Sequence, residues 1–379
     1  MKATERIHFI NFNRKLTINT IQFLIPLYFL KIGLQGWQIG IIVSLFAFAP
    51  LIFSFPTGWI NDRLAIRYVI FIALAALSVL LLLVAGIRSF PALALLFLGI
   101  GISSNALEVS MNSLYFKDET EIDPNRKYGI YIFWNSLGPA LGILFGGYLI
   151  YYRDFRILLV IFAAILALML TAVRGFDHEK LAVVSIRDYH RSLWNRRTLL
   201  FAVMLFVLAL HWGLEGTVYT PFLKTRFGLD SRQMALYISI PTLFLALTAF
   251  LVGRLKYDPK INRRLFFLFM FLSGAGLVLM TAGDVYMSFF FRLVHEIGDG
   301  GLGALTFLFI SKLFERRSIG GSAGILLAVQ TLGHSLGAII FSNLGYGAGL
   351  QYPFYAAGIL LLANSIFSRF VFQIGGHNT

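Results

Sequence analysis

The 379-residue sequence contains no cysteine, which excludes a disulfide framework and any thiolate metal site. Charge is scarce as well: 13% of residues are charged and 58% hydrophobic, where a soluble domain carries about 25% charged residues. No G-x-x-x-x-G-K string occurs, so the phosphate-cradling loop of ATP-driven machines is missing. Barrel strands would show a period-2 alternation, and none is seen. What is there is a set of long apolar blocks with charges in the short gaps between them, at a mean hydropathy of +0.77. An ordinary soluble enzyme and a disordered chain are excluded. The sequence reads as an all-α integral membrane protein.

Crossing about 30 Å of hydrocarbon takes roughly 20 helical residues. Twelve such spans can be drawn, near 5–30, 37–60, 68–88, 90–115, 128–151, 155–173, 198–223, 233–253, 264–283, 286–312, 320–344 and 350–372. No small-residue cleavage site follows the first apolar run, so no cleavable signal peptide is expected. With the N-terminus in the cytosol, 22 of the 32 basic residues fall inside and 7 outside, in keeping with the positive-inside rule. The net charge of +14 therefore reflects topology, and no nucleic-acid partner is expected. Both termini are expected to be cytosolic, in a multi-pass protein of the cytoplasmic (inner) membrane. Arg14, Lys15 and Arg292 fit neither side.

The two halves align at an offset of 195 residues. Pro26 matches Pro221, Gly33 matches Gly228, Gln38 matches Gln233, and Gly58 matches Gly253. Further on, LGPALG (137–142) aligns with LGHSLG (332–337). A single ungapped register suggests two pseudo-symmetric six-helix bundles, 1–173 and 198–379, with a substrate site at their interface. The joining segment 174–197 is polar and basic, and is expected to lie as a helix against the headgroups.

GWINDRLAIR (58–67), in the gap after span 2, resembles the G-x-L-x-D-R-x-G-R-K signature of the major facilitator superfamily. Gly58, Asp62, Arg63 and Arg67 fit, whereas Ala65 and Ile66 depart from it. The counterpart GRLKYDPKINRR (253–264) keeps Gly253 alone. GPALG partly resembles an antiporter motif, and the arginine many drug exporters carry in span 4, near Leu95, is absent. The resemblance implies twelve transmembrane helices in the major facilitator fold, alternating access, monomeric function and no cofactor. It makes Gly58, Asp62, Arg63 and Arg67 a conformational switch rather than a binding site. It also implies no enzymatic activity.

Within the spans, charges stand where lipid should be. Arg14 and Lys15 lie ~15 Å along span 1 at 1.5 Å per residue, where a basic side chain costs about 2.5–3.5 kcal/mol or more. They need a watery cavity or an acid, and Asn11, Lys15, Ile18 and Gln22 share a stripe. Asn105, Glu108 and Asn112 form a polar face on span 4. Span 7 carries His211, Glu215 and Tyr219 at four-residue steps, and span 10 carries Arg292, His295, Glu296 and Asp299 on one face. Span 11 adds Gln330 and His334. GDGGLG (298–303) lies inside span 10 and follows no strand, so it reads as helix packing rather than a nucleotide loop.

Desolvation makes a buried carboxylate easier to protonate, and histidine titrates near neutrality. His211, Glu215, Glu296 and Asp299 are therefore expected to couple protons to transport. Arg14, Lys15, Asn105, Glu108, Tyr219, Arg292 and Gln330 are expected to meet a small anionic, zwitterionic or amphipathic solute. Two alternatives share the fold. His211, Glu215, His295, Asp299 and His334 suit a divalent transition metal or a metal chelate, and a lipid flippase would use an open lateral gate. A membrane-embedded hydrolase would leave the repeat and the 58–67 signature without a role.

Overall fold

The structure, a computed structural model, describes residues 3–63, 66–117, 124–173, 195–256, 258–314 and 319–373. Among these residues the chain is helical without strands. The elements are α1 (Ala3–Lys31), α2 (Gly36–Arg63), α3 (Ile66–Gly86), α4 (Phe90–Lys117), α5 (Pro124–Tyr152), α6 (Phe155–Leu168) and a short α7 (Leu170–Val173). The second half follows with α8 (Arg196–Glu215), α9 (Tyr219–Phe227), α10 (Ser231–Gly253), α11 (Pro259–Leu279), α12 (Val285–Leu313), α13 (Ile319–Ala348) and α14 (Tyr352–Gln373). Among the described residues, eleven helical spans are long and apolar enough to cross a membrane. α1 is the twelfth, kept out of that set by polar residues such as Arg14, Lys15, Asn19 and Gln22.

Spans 1 to 5 correspond to α1 to α5, span 6 to α6 with α7, and span 7 to α8 with α9. The apolar core divides accordingly. One large cluster is drawn from residues 7–173 with Ala338, a second from residues 201–371 with Ile143, and a small third joins Ile132 to Ala249 and Ala304. The joining segment expected on the headgroups falls outside the described residues up to 194.

The repeat is visible as geometry. Gly33 and Gly228 both take positive φ, 89° and 66°, where a Cβ is disfavoured. Just beyond them, Gln38 Oε1 accepts the Gln35 N–H at 2.8 Å, and Gln233 Oε1 accepts the Asp230 N–H at 3.0 Å. In each half a side chain caps the next helix in the same way. The glycines of α5 and α13 bring backbones together: a Cβ on Gly142 would stand 2.3 Å from the Leu16 carbonyl, and one on Gly337 would stand 2.1 Å from that of Leu210.

Those contacts correct the ungapped register. Leu16 and Leu210 are 194 apart, whereas Gly33 and Gly228 are 195 apart, so the second half holds one extra residue between them. The extra residue falls where span 7, expected as one helix over 198–223, is broken. α8 stops at Glu215 and α9 starts at Tyr219. Pro221 has no N–H to bond the carbonyl four residues back, and its ring crowds that carbonyl. The carbonyl belongs to Thr217, and it accepts the Tyr346 hydroxyl of α13 instead, at 3.1 Å. His211, Glu215 and Tyr219 therefore do not share one helix.

The halves meet along a seam at the face opposite the chain termini. There the Gly36 Cα lies against the Tyr346 ring, Gly40 against Ser342, and Ser44 Oγ 2.6 Å from Ser335 Oγ. Thr220 Oγ1 donates to the Phe23 carbonyl across the same seam at 2.9 Å. α5 and α10 stay in touch along their length, from Gly147 against Ala235 to Phe133 against Phe250.

Candidate functional site

Two clusters of ionisable groups are held inside the bundles, one in each half. In the first, α1 starts at Ala3, so Arg14 lies ~16 Å along it and is 2% exposed. Its guanidinium donates to Asn11 Oδ1 (3.1 and 3.2 Å), to Ser104 Oγ (3.4 Å) and to Glu108 Oε2 (3.2 Å). Lys15 Nζ stands 3.6 Å from Glu108 Oε1, with 22% of its side chain exposed. Asn11 donates in turn to the Tyr131 hydroxyl (2.8 Å) and Asn135 Oδ1 (2.6 Å) of α5, and Tyr131 donates to Asn112 of α4. Two cations share one carboxylate here.

Asn105 goes elsewhere. Its Oδ1 accepts from Ser54 of α2 at 2.9 Å, so the polar face of α4 is shared between α1, α2 and α5 rather than given to one ligand. Gly58 and Asp62 belong to the last turns of α2, not to a loop, since the helix runs to Arg63. The side chains of Asp62 and Arg63 lie outside the described residues. The Arg67 guanidinium stacks on Tyr68, 5.0 Å from the ring centroid.

The second cluster joins α8, α9, α11 and α12. Arg292, fully buried, donates to Glu215 of α8 and to Glu296 one turn along its own helix. Its guanidinium carbon lies 4.5 Å from the centroid of Tyr219, which α9 supplies after the helix break. His211 Nε2 stands 3.0 Å from Asp299 Oδ2, and His211 Nδ1 faces the Leu208 carbonyl. His295 Nδ1 is 2.9 Å from the Ser273 carbonyl. Its Nε2 is 3.4 Å from Glu215 Oε1 and 3.9 Å from Asp299 Oδ2. Ser273 Oγ donates to Asp299 Oδ1 at 2.6 Å. Ser273 lies on α11 in an apolar run and drew no attention in the sequence, yet it ties His295 to Asp299.

Residues predicted from spans 7 and 10 thus come together, and part of span 11 does so too. His334 of α13 stands beside Gly216, and its buried Nε2 has no hydrogen bond among the described residues. Gln330, a turn earlier, is half-buried and makes no hydrogen bond to the cluster among them. Burying unpaired ions is costly, and the bookkeeping is uneven. Fully ionised, Glu215, Glu296 and Asp299 would carry three negative charges against one from Arg292. With neutral histidines the cluster is short of two positive charges.

The sequence pattern of the Major Facilitator Superfamily matches residues 7–258 and 201–377. The chain belongs to this superfamily. A comparison by sequence with curated proteins finds no match. Among solved structures, it resembles the nucleoside transporter NupG as a D323A mutant, with 16% identity over 98% of this chain and 99% of that one at a TM-score of 0.76. A POT family transporter in complex with a thioalcohol-conjugated peptide superposes at a TM-score of 0.77, with 15% identity over 97% of this chain and 96% of that one. The human organic anion transporter MFSD10 gives 0.71, with 18% identity over 97% and 100%. At these identities the likeness is one of fold. The chain is a multi-pass membrane transporter of some small solute, and nothing in these comparisons points to an enzyme.

Proposed function

We propose that this chain is a secondary active transporter that works by alternating access and moves a small solute bearing a negative group. One observation carries the reading: Arg14 and Lys15 share a single carboxylate, Glu108, inside the membrane-spanning bundle. A net positive charge at that depth is costly unless a counter-charge arrives, and a carboxylate or similar anion on the solute supplies it. Lys15 is the partly exposed member and meets the solute, while Arg14 is fixed by Asn11 and Ser104. An organic acid or a zwitterion fits, and so does an amphipathic solute with an acidic head.

Coupling belongs to the second cluster. His211, Glu215, Glu296 and Asp299 take up and release protons as the cluster meets water on alternate sides, and the shortage of two positive charges supports that role. The two bundles, 1–173 and 198–379, rock about the seam as a monomer in the cytoplasmic membrane with both termini in the cytosol. The 58–67 segment stabilises one of the two states.

The test is a thermal-shift screen of purified protein against organic anions, amino acids, sugars and cationic drugs, since a ligand of the folded state raises its apparent stability. A shift with an organic anion that disappears in Lys15→Ala is expected. A shift that survives both Lys15→Ala and the Arg14→Ala/Lys15→Ala pair removes the anion site. In proteoliposomes given that anion from outside, Glu215→Gln should abolish accumulation driven by a pH gradient.

A further inference from the structure

The geometry points to a divalent transition-metal site at His211, His295 and Asp299, built for an ion of the Zn2+ class. One ligand atom from each of His211, His295 and Asp299 lies within 4.8 Å of the other two. Around a tetrahedral ion with ligands at about 2.0–2.1 Å, donors stand about 3.3 Å apart. The separations from Asp299 Oδ2 are 3.0 Å to His211 Nε2 and 3.9 Å to His295 Nε2, which bracket that figure. Small side-chain movements suffice to close on an ion.

The orientation of the ligands is the stronger observation. Each has its other polar atom engaged, as metal ligands do. His211 Nδ1 faces the Leu208 carbonyl, and His295 Nδ1 faces the Ser273 carbonyl. A carbonyl only accepts, so both Nδ1 atoms carry hydrogen and, in the neutral rings, both Nε2 atoms present lone pairs. Asp299 Oδ1 is taken by Ser273 Oγ, leaving Oδ2 directed at the histidines. With the rings neutral, three acceptor atoms thus converge, and either a proton or a metal cation has to lie between them. His295 Nε2 is fully buried and has no hydrogen bond among the described residues.

Arg292 is itself a cation, but its guanidinium is turned to Glu215 and Glu296. One divalent ion brings the three carboxylates and Arg292 to neutrality. The fourth ligand is water, because Glu215 Oε1, 3.4 Å from His295 Nε2, already accepts from Arg292. With three protein ligands and an exchangeable fourth, the site suits an ion that comes and goes. Such an ion competes with the cations of the proposed cycle.

The experiment is calorimetric titration of the purified full-length chain with Zn2+ and, separately, Mg2+. One tight Zn2+ per chain is expected, with affinity falling at least about 100-fold in His211→Gln and in His295→Gln. Ser273→Ala removes only the outer partner and should cost about 10–100-fold. Mg2+, which prefers oxygen ligands, should not bind there. Co2+ bound to the unaltered protein should give the intense visible absorption of a tetrahedral site, a readout that survives if a histidine variant fails to fold. Zn2+ affinity unchanged in both histidine variants and in Ser273→Ala, no tight Zn2+, or a six-coordinate Co2+ spectrum would each overturn the proposal. Anion binding through Lys15 is read separately, so either idea fails without the other.

Discussion

Arg292→Met is the most informative single change. The side chain is fully buried and bonded to Glu215 and Glu296, themselves 9% and 4% exposed. Methionine fills much of the same volume but leaves two carboxylates without their cation. Removing one partner of a buried ion pair costs about 3–5 kcal/mol, because the other is left uncompensated. An exposed pair such as Lys31–Asp154, 70% and 45% exposed, is worth about 0–1 kcal/mol. For a cooperative unit of 150–250 residues, 1 kcal/mol moves the midpoint by roughly 2–4 °C, so Arg292→Met should melt roughly 6–20 °C below the unaltered protein. Lys31→Ala should move it by a few degrees at most. The decisive comparison is the triple variant Arg292→Met, Glu215→Gln, Glu296→Gln, which removes the charges together and should recover most of the loss. Intrinsic fluorescence during heating in detergent, without added metal, reads all three. A single variant melting within about 2 °C of the parent, or a triple variant no better than the single, would refute the ionic account of this cluster.

Two further outcomes are expected. Gly337→Ala places a methyl 2.1 Å from the Leu210 carbonyl, and overpacking of that kind costs about 1–3 kcal/mol. Gly303→Ala meets nothing within 4 Å and should be neutral or stabilising by up to about 1 kcal/mol, since alanine favours helix over glycine; comparing the two melting midpoints checks both. Asp154 caps α6: the hydrogen bond from the Arg156 N–H, helped by Lys31, holds its carboxyl below the ordinary 3.8. A depressed value stabilises the fold above the unfolded value and loses that stabilisation as pH falls through the folded one. Asp154→Asn keeps the cap without the charge, so the parent's advantage, about 0.5 kcal/mol, should shrink progressively as pH falls below about 4 in melts run across pH.

Much of the fold was legible because hydrophobic length acts locally. The twelve spans needed no tertiary information, and the matching Gly33/Gly228 and Gln38/Gln233 pairs were local turns and caps. The break in span 7 was not legible. Pro221 matches Pro26, and α1 runs through Pro26 unbroken. What differs is one extra residue and the Tyr346 hydroxyl waiting on a distant helix. Asn105 shows a second limit: periodicity gives the face of α4, not which of three neighbours each part of that face meets. Ser273 shows a third, because a serine in an apolar helix most often bonds its own backbone and carries no signal of a longer reach.

The seam between the halves has a practical consequence. Ser44 and Ser335 touch across it with their oxygens 2.6 Å apart, and the natural chain has no thiol anywhere. Replacing that one pair of serines with cysteines would make the molecule its own proximity reporter, since a disulfide needs sulfurs about 2 Å apart and tolerates little separation. Oxidation would staple this face shut, and reduction would release it. No background cysteine would have to be engineered away first.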